Sequence, residues 1–574
     1  MRIRRTIFLV LLCGLGTSAV SQPIFETRAV WLTTALGLDW PRTGAGAEQQ
    51  EVELRELIVG ARTRGMNTVF FQVVTRADAF YESDRLPWSE ILTDTAGADP
   101  GFDPLAVAIE AAHEHGMELH AWINTYRIAK AATGSFEPNH VTEDHPEWTE
   151  ANGGWLNPGY PGVNEWIAAN VSEMVERYDV DAVHFDFARY NQGGYIRDDS
   201  LFLATNPSGI ATKDDWRREN INRLMRAVKD AVFSLKPWVK IGSTPIGNYD
   251  ESCFQGGLTG YNHVFQDSRL WLSEGTNDYL APQIYWADGE LNAPSFTCLV
   301  SDWVDANTSS RHIYPGIAIY KPEVQAELSN QIDVTRSKGA QGVAFFREAF
   351  TRSEDFDGRF DALSLPPPAT LRFEAQAPER PDSVSVSVDG PRLVHIEWTP
   401  SQGAEDDPVG WYAIFRRSGS PPEVSDANDL AAVVYRDRIS YDDVLPASET
   451  GPVFYTVVAI SRLGFLADPT EAVSTGQLPT SVESEIPAGP LVLMGIYPNP
   501  ASDRITIRFT ADRSRNAQLR IVDELGRVAF QQSVRATIGQ NVLSVPVSRF
   551  AAGVYLVDLT SGKHKDGRAF VVAK

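Results

Sequence analysis

The sequence predicts an α/β protein, a (β/α)8 TIM barrel followed by two small all-β sandwich domains. Three observations carry that expectation. Between Phe25 and Leu365, short β-rich runs alternate eight times with helical stretches, a span such barrels reach with insertions. No glycine-rich phosphate loop follows the first run, as an open doubly wound sheet would normally show. After Pro366–Pro368 the periodicity changes to two, with Gly, Pro and Asp at the turns.

The runs are Thr27–Thr34, Thr68–Thr75, Glu118–Thr125, Ala182–Arg189, Lys240–Gly247, Tyr279–Trp286, Ile313–Tyr320 and Gly342–Ala349. Helical periodicity marks Glu51–Arg64, Pro104–His115, Val163–Tyr178 and Trp216–Leu235. Gly65, Gly116 and Gly339 stand where a helix would close on a left-handed residue. The barrel is therefore expected over 22–365 and a Pro-rich linker over 366–380. A sandwich over 381–478 follows from alternating runs such as Leu393–Trp398, Trp411–Arg416 and Val453–Ser461. A second linker, 479–490, precedes a last β module over 491–574.

The 574 residues exceed the size of one domain, and 51 basic against 75 acidic residues give a formal net charge of −24. Such a chain is a poor partner for nucleic acid, whose phosphates need a basic face. Residues 1–21 combine basic Met1–Arg5, a short apolar stretch, and small Ala19 and Ser21, the pattern of a signal peptide cleaved before Gln22. Leu12 before Cys13 argues against a lipoprotein signal. Export leaves Cys253 and Cys298, which fall in loops after neighbouring strands at one rim. A disulfide between them is expected, with two free thiols as the alternative.

Barrel enzymes work at the carboxyl ends of their strands. On strand four, alternation sets His184 and Asp186 on the inner face, towards the barrel mouth, with Val183, Phe185 and Phe187 on the other and Arg189 beyond. Strand three offers His120, Trp122 and Asn124, followed by Arg127; strand two offers Gln72. Strand six offers Gln283, Tyr285 and Trp286, while Trp31 and Tyr320 complete the set from strands one and seven. Amides, guanidiniums and aromatic rings at one rim suit a sugar, which has hydroxyls to bond and an apolar ring face to stack. For any single aromatic, plain core packing is the competing explanation. A metal site built from His120, His184 and Asp186 lacks the usual ligand spacing, and no cofactor motif is present.

The segments Glu26–Thr34 (ETRAVWLTT), Gly37–Pro41 (GLDWP), Gly65–Gln72 (GMNTVFFQ) and Asp78–Tyr81 (DAFY) resemble the glycosyl hydrolase-like 10 family. So do His120–Arg127 (HAWINTYR), Leu156–Gly159 (LNPG), His184–Asp186 (HFD) and Ala281–Trp286 (APQIYW). The resemblance implies a barrel glycoside hydrolase, with some relatives acting on peptidoglycan strands stripped of peptides. Many members carry a second aspartate after the one matched by Asp186, where this chain has Phe187. Trp398 before Thr399-Pro400, with Tyr455–Ala459, resembles a fibronectin type III domain. Tyr497–Asp503, Asp523–Arg527, Gly553–Val557 and Val571–Lys574 are similar to a type IX secretion C-terminal sorting domain, which implies delivery by that machinery to the medium or the cell surface.

The expected activity is hydrolysis of a glycan by two carboxyl groups flanking the scissile bond. Asp186 is the first; Asp78 and Glu348 are candidates for the second, and Asp288 a further one. The alternative is a glycan-binding or adhesion protein with a degenerate barrel. Linkage, sugar and oligomeric state stay open.

Overall fold

A computed structural model describes residues 22–128, 140–149, 154–192, 198–206, 209–354, 356–369, 377–389, 393–445, 449, 451–478, 491–497, 501, 504–511, 515–523, 526–536, 539–562 and 564–573. The signal peptide, the second linker, part of the first and most of Tyr497–Asp503 lie outside the described residues. The chain divides into two compact units. The first holds the barrel with Glu397–Ile439 and Phe454–Val473; the second holds Val386–Ile396, Ser440–Val453 and the chain from Ser474 onward.

Nine stretches build the barrel sheet: β1 Thr27–Leu32, β2 Thr68–Val74, β3 Glu118–Asn124, β4 Ala182–Asp186, β5 Lys240–Ser243, β6 Tyr279–Leu280, β7 His312–Ile313, β8 Gly316–Ile317 and β9 Gly342–Phe345. Their order is β7-β6-β5-β4-β3-β2-β1-β9-β8, all parallel. Because β7 and β8 are halves of one segment, the sheet closes on itself as an eight-stranded barrel. Three of the later runs give shorter strands because of proline. Pro245, Pro282 and Pro315 lack an N–H, so the regular ladder is interrupted at each, and past the first two the sheet continues through isolated bridges such as Ile246–Gln283 and Gln283–Gly316. Helices Ala47–Thr63, Pro104–Glu114, Val163–Arg177 and Lys213–Leu235 lie close to the expected positions. Ser268–Ser273, Phe296–Ala306 and Leu328–Ser337 are helices that the sequence reading did not locate.

Inward-facing side chains fill the barrel. Trp31, Phe70, Trp122, Tyr279 and Tyr314 pack with Ala29, Ala182, Ala281 and Ala344. Large rings need small neighbours: a Cβ on Gly242 would lie 2.0 Å from the Tyr279 ring. Polar groups thread this interior in one direction. The Trp31 indole N–H donates to His184 Nε2 at 3.1 Å, so the His184 proton is on Nδ1 and is given to the Tyr279 hydroxyl at 3.0 Å. Tyr279 then donates to His120 Nδ1 at 2.7 Å, and His120 Nε2–H donates to Glu118 at 3.0 Å. Lys240 closes the file on Glu118 at 2.5 Å. Burial pushes both imidazoles below their ordinary range, so they are neutral. Burial works against the Glu118 charge too, but Lys240 and His120 outweigh it and hold that carboxyl at about 2.

Seven short strands follow: β10 Val384–Asp389, β11 Leu393–Trp398, β12 Val409–Ser418, β13 Leu430–Tyr435, β14 Ser440–Val444, β15 Val453–Ser461 and β16 Val473–Ser474. They form a three-stranded sheet, β10-β11-β14, and a four-stranded one, β13-β12-β15-β16. The latter is packed on the amino-terminal end of the barrel within the first unit. His113 stacks on Tyr435 at 4.1 Å and bonds Asp181 at 2.9 Å. Arg462, fully buried, reaches Asp179 at 2.8 Å, Asp181 at 3.1 Å and the Val180 carbonyl at 3.1 Å. Gly116, at φ +67°, lies so close that a Cβ would sit 2.3 Å from the Val433 carbonyl. The chain leaving the barrel is part of this joint, since Ala369 N–H donates to the Leu463 carbonyl at 2.8 Å.

In the second unit β17 Leu491–Tyr497, β18 Arg504–Ala511 and β21 Gly539–Pro546 form one antiparallel sheet. The strands β19 Arg515–Asp523, β20 Val528–Ala536, β22 Gly553–Ser561 and β23 His564–Val572 form another. Strict alternation explains their common core: Ile505, Ile507 and Phe509 of β18 meet Leu519, Ile521, Val557 and Leu559 of the facing sheet. Removing Arg462 would take the arginine from buried Asp181 and leave half-buried Asp179 with Arg436, at 3.0 Å, as its one arginine among the described residues. Arg462→Ala is expected to lower stability by about 3–5 kcal/mol, read as an earlier urea midpoint. An unchanged midpoint would refute the role given to this joint.

Candidate active site

Asp186 ends β4, where the ladder gives way to the mouth, and is 7% exposed. The following residue turns sharply: Phe187 has φ +52°, a strained value for a bulky side chain, and its N–H donates back to Asp186 Oδ1 at 2.7 Å. Gln283 Nε2 donates to the same oxygen at 3.3 Å. Behind it, the Asp186 carbonyl accepts both the N–H and the hydroxyl of Thr125, each at 2.8 Å. The turn takes Phe187 off the outer face expected of it. Its ring instead lies under two guanidiniums, Arg127 with Cζ 5.0 Å and Arg189 with Cζ 4.9 Å from its centroid. Trp155 completes the group, edge-on to Phe187 at 5.7 Å and with Arg189 at 5.4 Å from its own ring.

Burial raises the Asp186 carboxyl to about 6; Arg189, the Phe187 N–H, Arg127 and Gln283 oppose that rise without cancelling it. Burial also lowers Arg189 to about 10, against the attraction of Asp186 and with the repulsion of Arg127. A carboxyl poised near 6 can hold or accept a proton under mild conditions, the property required of an acid or base. Across the mouth, Tyr285 stacks on Phe346 at 5.7 Å, and Tyr320 meets both, at 6.5 Å from Tyr285 and 6.1 Å from Phe346. Tyr320 is 41% exposed, so this cluster presents a ring to solvent.

The other residues proposed from sequence are placed differently. His120 and His184 point inward, as alternation requires, but lie within the filled interior below the mouth, with all four ring nitrogens bonded inside the chain. Trp31 and Trp122 belong to the same packed interior. Gln72 is a strut: its Oε1 accepts the N–H groups of Thr34 and Ala35 at 3.1 and 2.9 Å, and its Nε2 donates to Asn124 Oδ1 at 3.2 Å. Trp286 is half-buried and gives its carbonyl to Gln331 at 3.1 Å.

Among the carboxyl candidates, Asp78 is fully buried. Its Oδ1 accepts the Arg76 N–H at 2.7 Å and the Thr75 hydroxyl at 2.6 Å, closing the turn after β2. Glu348 is held between Arg64 and Arg352, each at 2.8 Å. Asp288 accepts the Thr297 N–H at 3.0 Å at the start of the helix Phe296–Ala306. Among the described residues, none of the three hydrogen-bonds Asp186. Trp155, Phe187 and Phe346 join the site without having been singled out. Only the short spacing of Trp155 from Leu156–Gly159 hinted at the first. Cys253 and Cys298 are joined by a disulfide, Cα atoms 5.8 Å apart, tying the loop after β5 to the helix after β6. The constraint contributes up to about 4 kcal/mol on the chain-entropy model.

Asp186 also leaves a signature in stability. Its folded pKa lies above the unfolded value near 3.9, so the folded state is favoured by protonation and loses stability as pH rises from about 4 through 6. Asp186→Asn, which removes the buried charge, is expected to raise the melting temperature at pH 8 and to have no such advantage at pH 4. An equal effect at both pH values would contradict the burial argument.

Two known families match stretches of this chain. The model of the family described as glycosyl hydrolase-like 10 matches residues 26–333, more than half of the chain. That of the secretion system C-terminal sorting domain matches 495–573. The chain is 33% identical over 446 residues to glycosyl hydrolase YngK of Bacillus subtilis, an alignment covering 71% of this chain and 87% of that protein. It is 34% identical over 334 residues to glycosyl hydrolase DigH of Escherichia coli, covering 53% and 75% respectively. Among solved structures, the PgaB (BpsB) glycoside hydrolase domain from Bordetella bronchiseptica aligns at 15% identity with a TM-score of 0.43, covering 60% of this chain and all of that domain. With a family model spanning the barrel from β1 past β8, and a relative matched over most of its length, this chain belongs to the glycosyl hydrolase-like 10 family.

Proposed function

We propose that this glycoside hydrolase is exported and cleaves a glycan at the mouth of its barrel, with Asp186 as one of the two carboxyl groups. The single observation that carries the reading is Asp186 itself, at the end of β4, raised to about 6 and flanked by Gln283, Arg127 and Arg189. The rim of Tyr285, Tyr320 and Phe346 supports a sugar-binding role, because rings of this kind stack on the apolar face of a pyranose. For the second carboxyl, Asp78 is better supported than Glu348. Its Oδ2 accepts no hydrogen bond among the described residues and has Arg76 only at 3.7 Å, whereas arginines hydrogen-bond both oxygens of Glu348 at 2.8 Å. Asp78 is fully buried, so this role requires the loop after β2 to open. Peptide-stripped peptidoglycan is the first substrate to try, and another bacterial or environmental polysaccharide the second. The C-terminal segment is proposed to address the protein to the type IX secretion machinery.

One observation favours binding without turnover: both candidates for the second carboxyl are engaged inside the chain, Asp78 fully buried in its own turn and Glu348 held by two arginines. Incubating the purified chain with peptide-stripped peptidoglycan and a polysaccharide panel, followed by mass spectrometry, separates the two readings. Released fragments are expected, with turnover about 10²–10⁴-fold lower in Asp186→Asn. Binding with no product from any glycan would favour the alternative. In a host with type IX secretion, deleting residues 491–574 is expected to trap the protein behind the outer membrane, as fractionation would show. Undiminished delivery would remove the sorting role.

A further inference from the structure

The charge arrangement beside Asp186 is unusual within this molecule. The chain is acidic overall, and barrel arginines commonly close on carboxylates, as Arg217 does on Asp198 at 2.8 Å and Arg336 on Glu26 at 2.6 Å. Arg127 and Arg189 do not. Among the described residues, neither guanidinium has a carboxylate within 4.0 Å or a hydrogen-bond acceptor; each lies over the Phe187 ring, and Arg189 also over Trp155. Ring faces stabilise a cation but leave its fork of N–H donors unused.

The pair is nevertheless built in. Trp155 bridges the two, pairing its backbone with Arg127 and donating its indole N–H to the Arg189 carbonyl at 3.1 Å. Arg127 is exposed and Arg189 half-buried, so the donors border the mouth. Two like charges held together, with part of their surface out of water, favour an arriving anion and penalise a ligand that brings none.

We propose that Arg127 and Arg189 form a subsite for a carboxylate carried by the glycan, so that this enzyme selects an acidic sugar over a neutral one. The inference deepens the glycan reading above and rests on it. A planar carboxylate offers two acceptors to the guanidinium fork, a match a hydroxyl does not make. The carboxylate could be that of a uronic acid or of an acid ether-linked to the ring, and the chemistry at the subsite is the same.

Binding of the whole chain tests this independently of turnover. Affinity would be measured for polygalacturonate oligomers and for soluble peptide-stripped peptidoglycan fragments, each before and after reduction of its carboxyl groups to alcohols. At least one acidic glycan is expected to bind about tenfold or more tighter than its reduced form, and which one does identifies the source of the carboxylate. Arg127→Gln and Arg189→Gln are each expected to bring that ratio towards one, with Arg189→Lys retaining part of it. Affinity for the reduced glycan, which brings no carboxylate, is expected to change little in either variant and so reports that the fold is intact. Equal affinity for acidic and reduced forms, a ratio unchanged in both Gln variants, or no binding to either acidic glycan would overturn the proposal. Preference without product would instead spare this subsite and sink the catalytic reading; product without preference would do the reverse.

Discussion

The file of hydrogen bonds from Trp31 through His184, Tyr279 and His120 to Glu118 and Lys240 fixes the interior of the barrel. Each donor has one acceptor available to it, so a proton on the wrong ring nitrogen would leave a buried polar group unpaired. The file also sets volume. Its rings occupy the barrel width, and facing strands accommodate them with Gly242, Gly316 and a set of alanines. His184 and Asp186 share a strand face two residues apart, so what orients the first fixes the rotation of β4 that presents the second.

The site above is a compromise between burial and charge. Burial alone would drive Asp186 further towards neutrality, and the two arginines alone would keep it ionised. The outcome lies where both protonation states are accessible. Its geometry is held from three sides: Thr125 on the main chain, and the Phe187 N–H and Gln283, from the segment after β6, on one carboxyl oxygen. Few of these contacts are mobile side chains on the surface, which is how a carboxyl keeps one orientation while its proton comes and goes.

Direction was legible in the sequence, and depth was not. Period-two alternation places His120, Trp122, His184 and Asp186 inside, and all four are inside. Yet alternation is the same at every height along a strand. Whether an inward residue plugs the barrel or reaches its mouth depends on where the ladder ends, and that is set by neighbours on other strands. Pro245, Pro282 and Pro315 carried part of this information, since a residue without an N–H shortens the ladder. The turn at Phe187 carried none, because nothing in His184–Tyr190 announces a phenylalanine at positive φ. The short helices after β5, β6 and β8 were obscured for another reason. Phe296, Leu299, Val300 and Trp303 have helical spacing, but in an 11-residue element beginning inside a loop.

The sheet packed on the amino-terminal end of the barrel bears on how such proteins can be recombined. Pro366–Pro368 look like a seam at which one cassette stops and another begins. The physical joint runs elsewhere, through His113 on Tyr435, Gly116 against Val433, and Arg462 between Asp179 and Asp181. A barrel transplanted with its end at Leu365 would carry away two acids and a bare ring face shaped for a partner left behind. A gene fusion or an evolutionary shuffle that cuts before Arg462 inherits an open wound at the barrel floor.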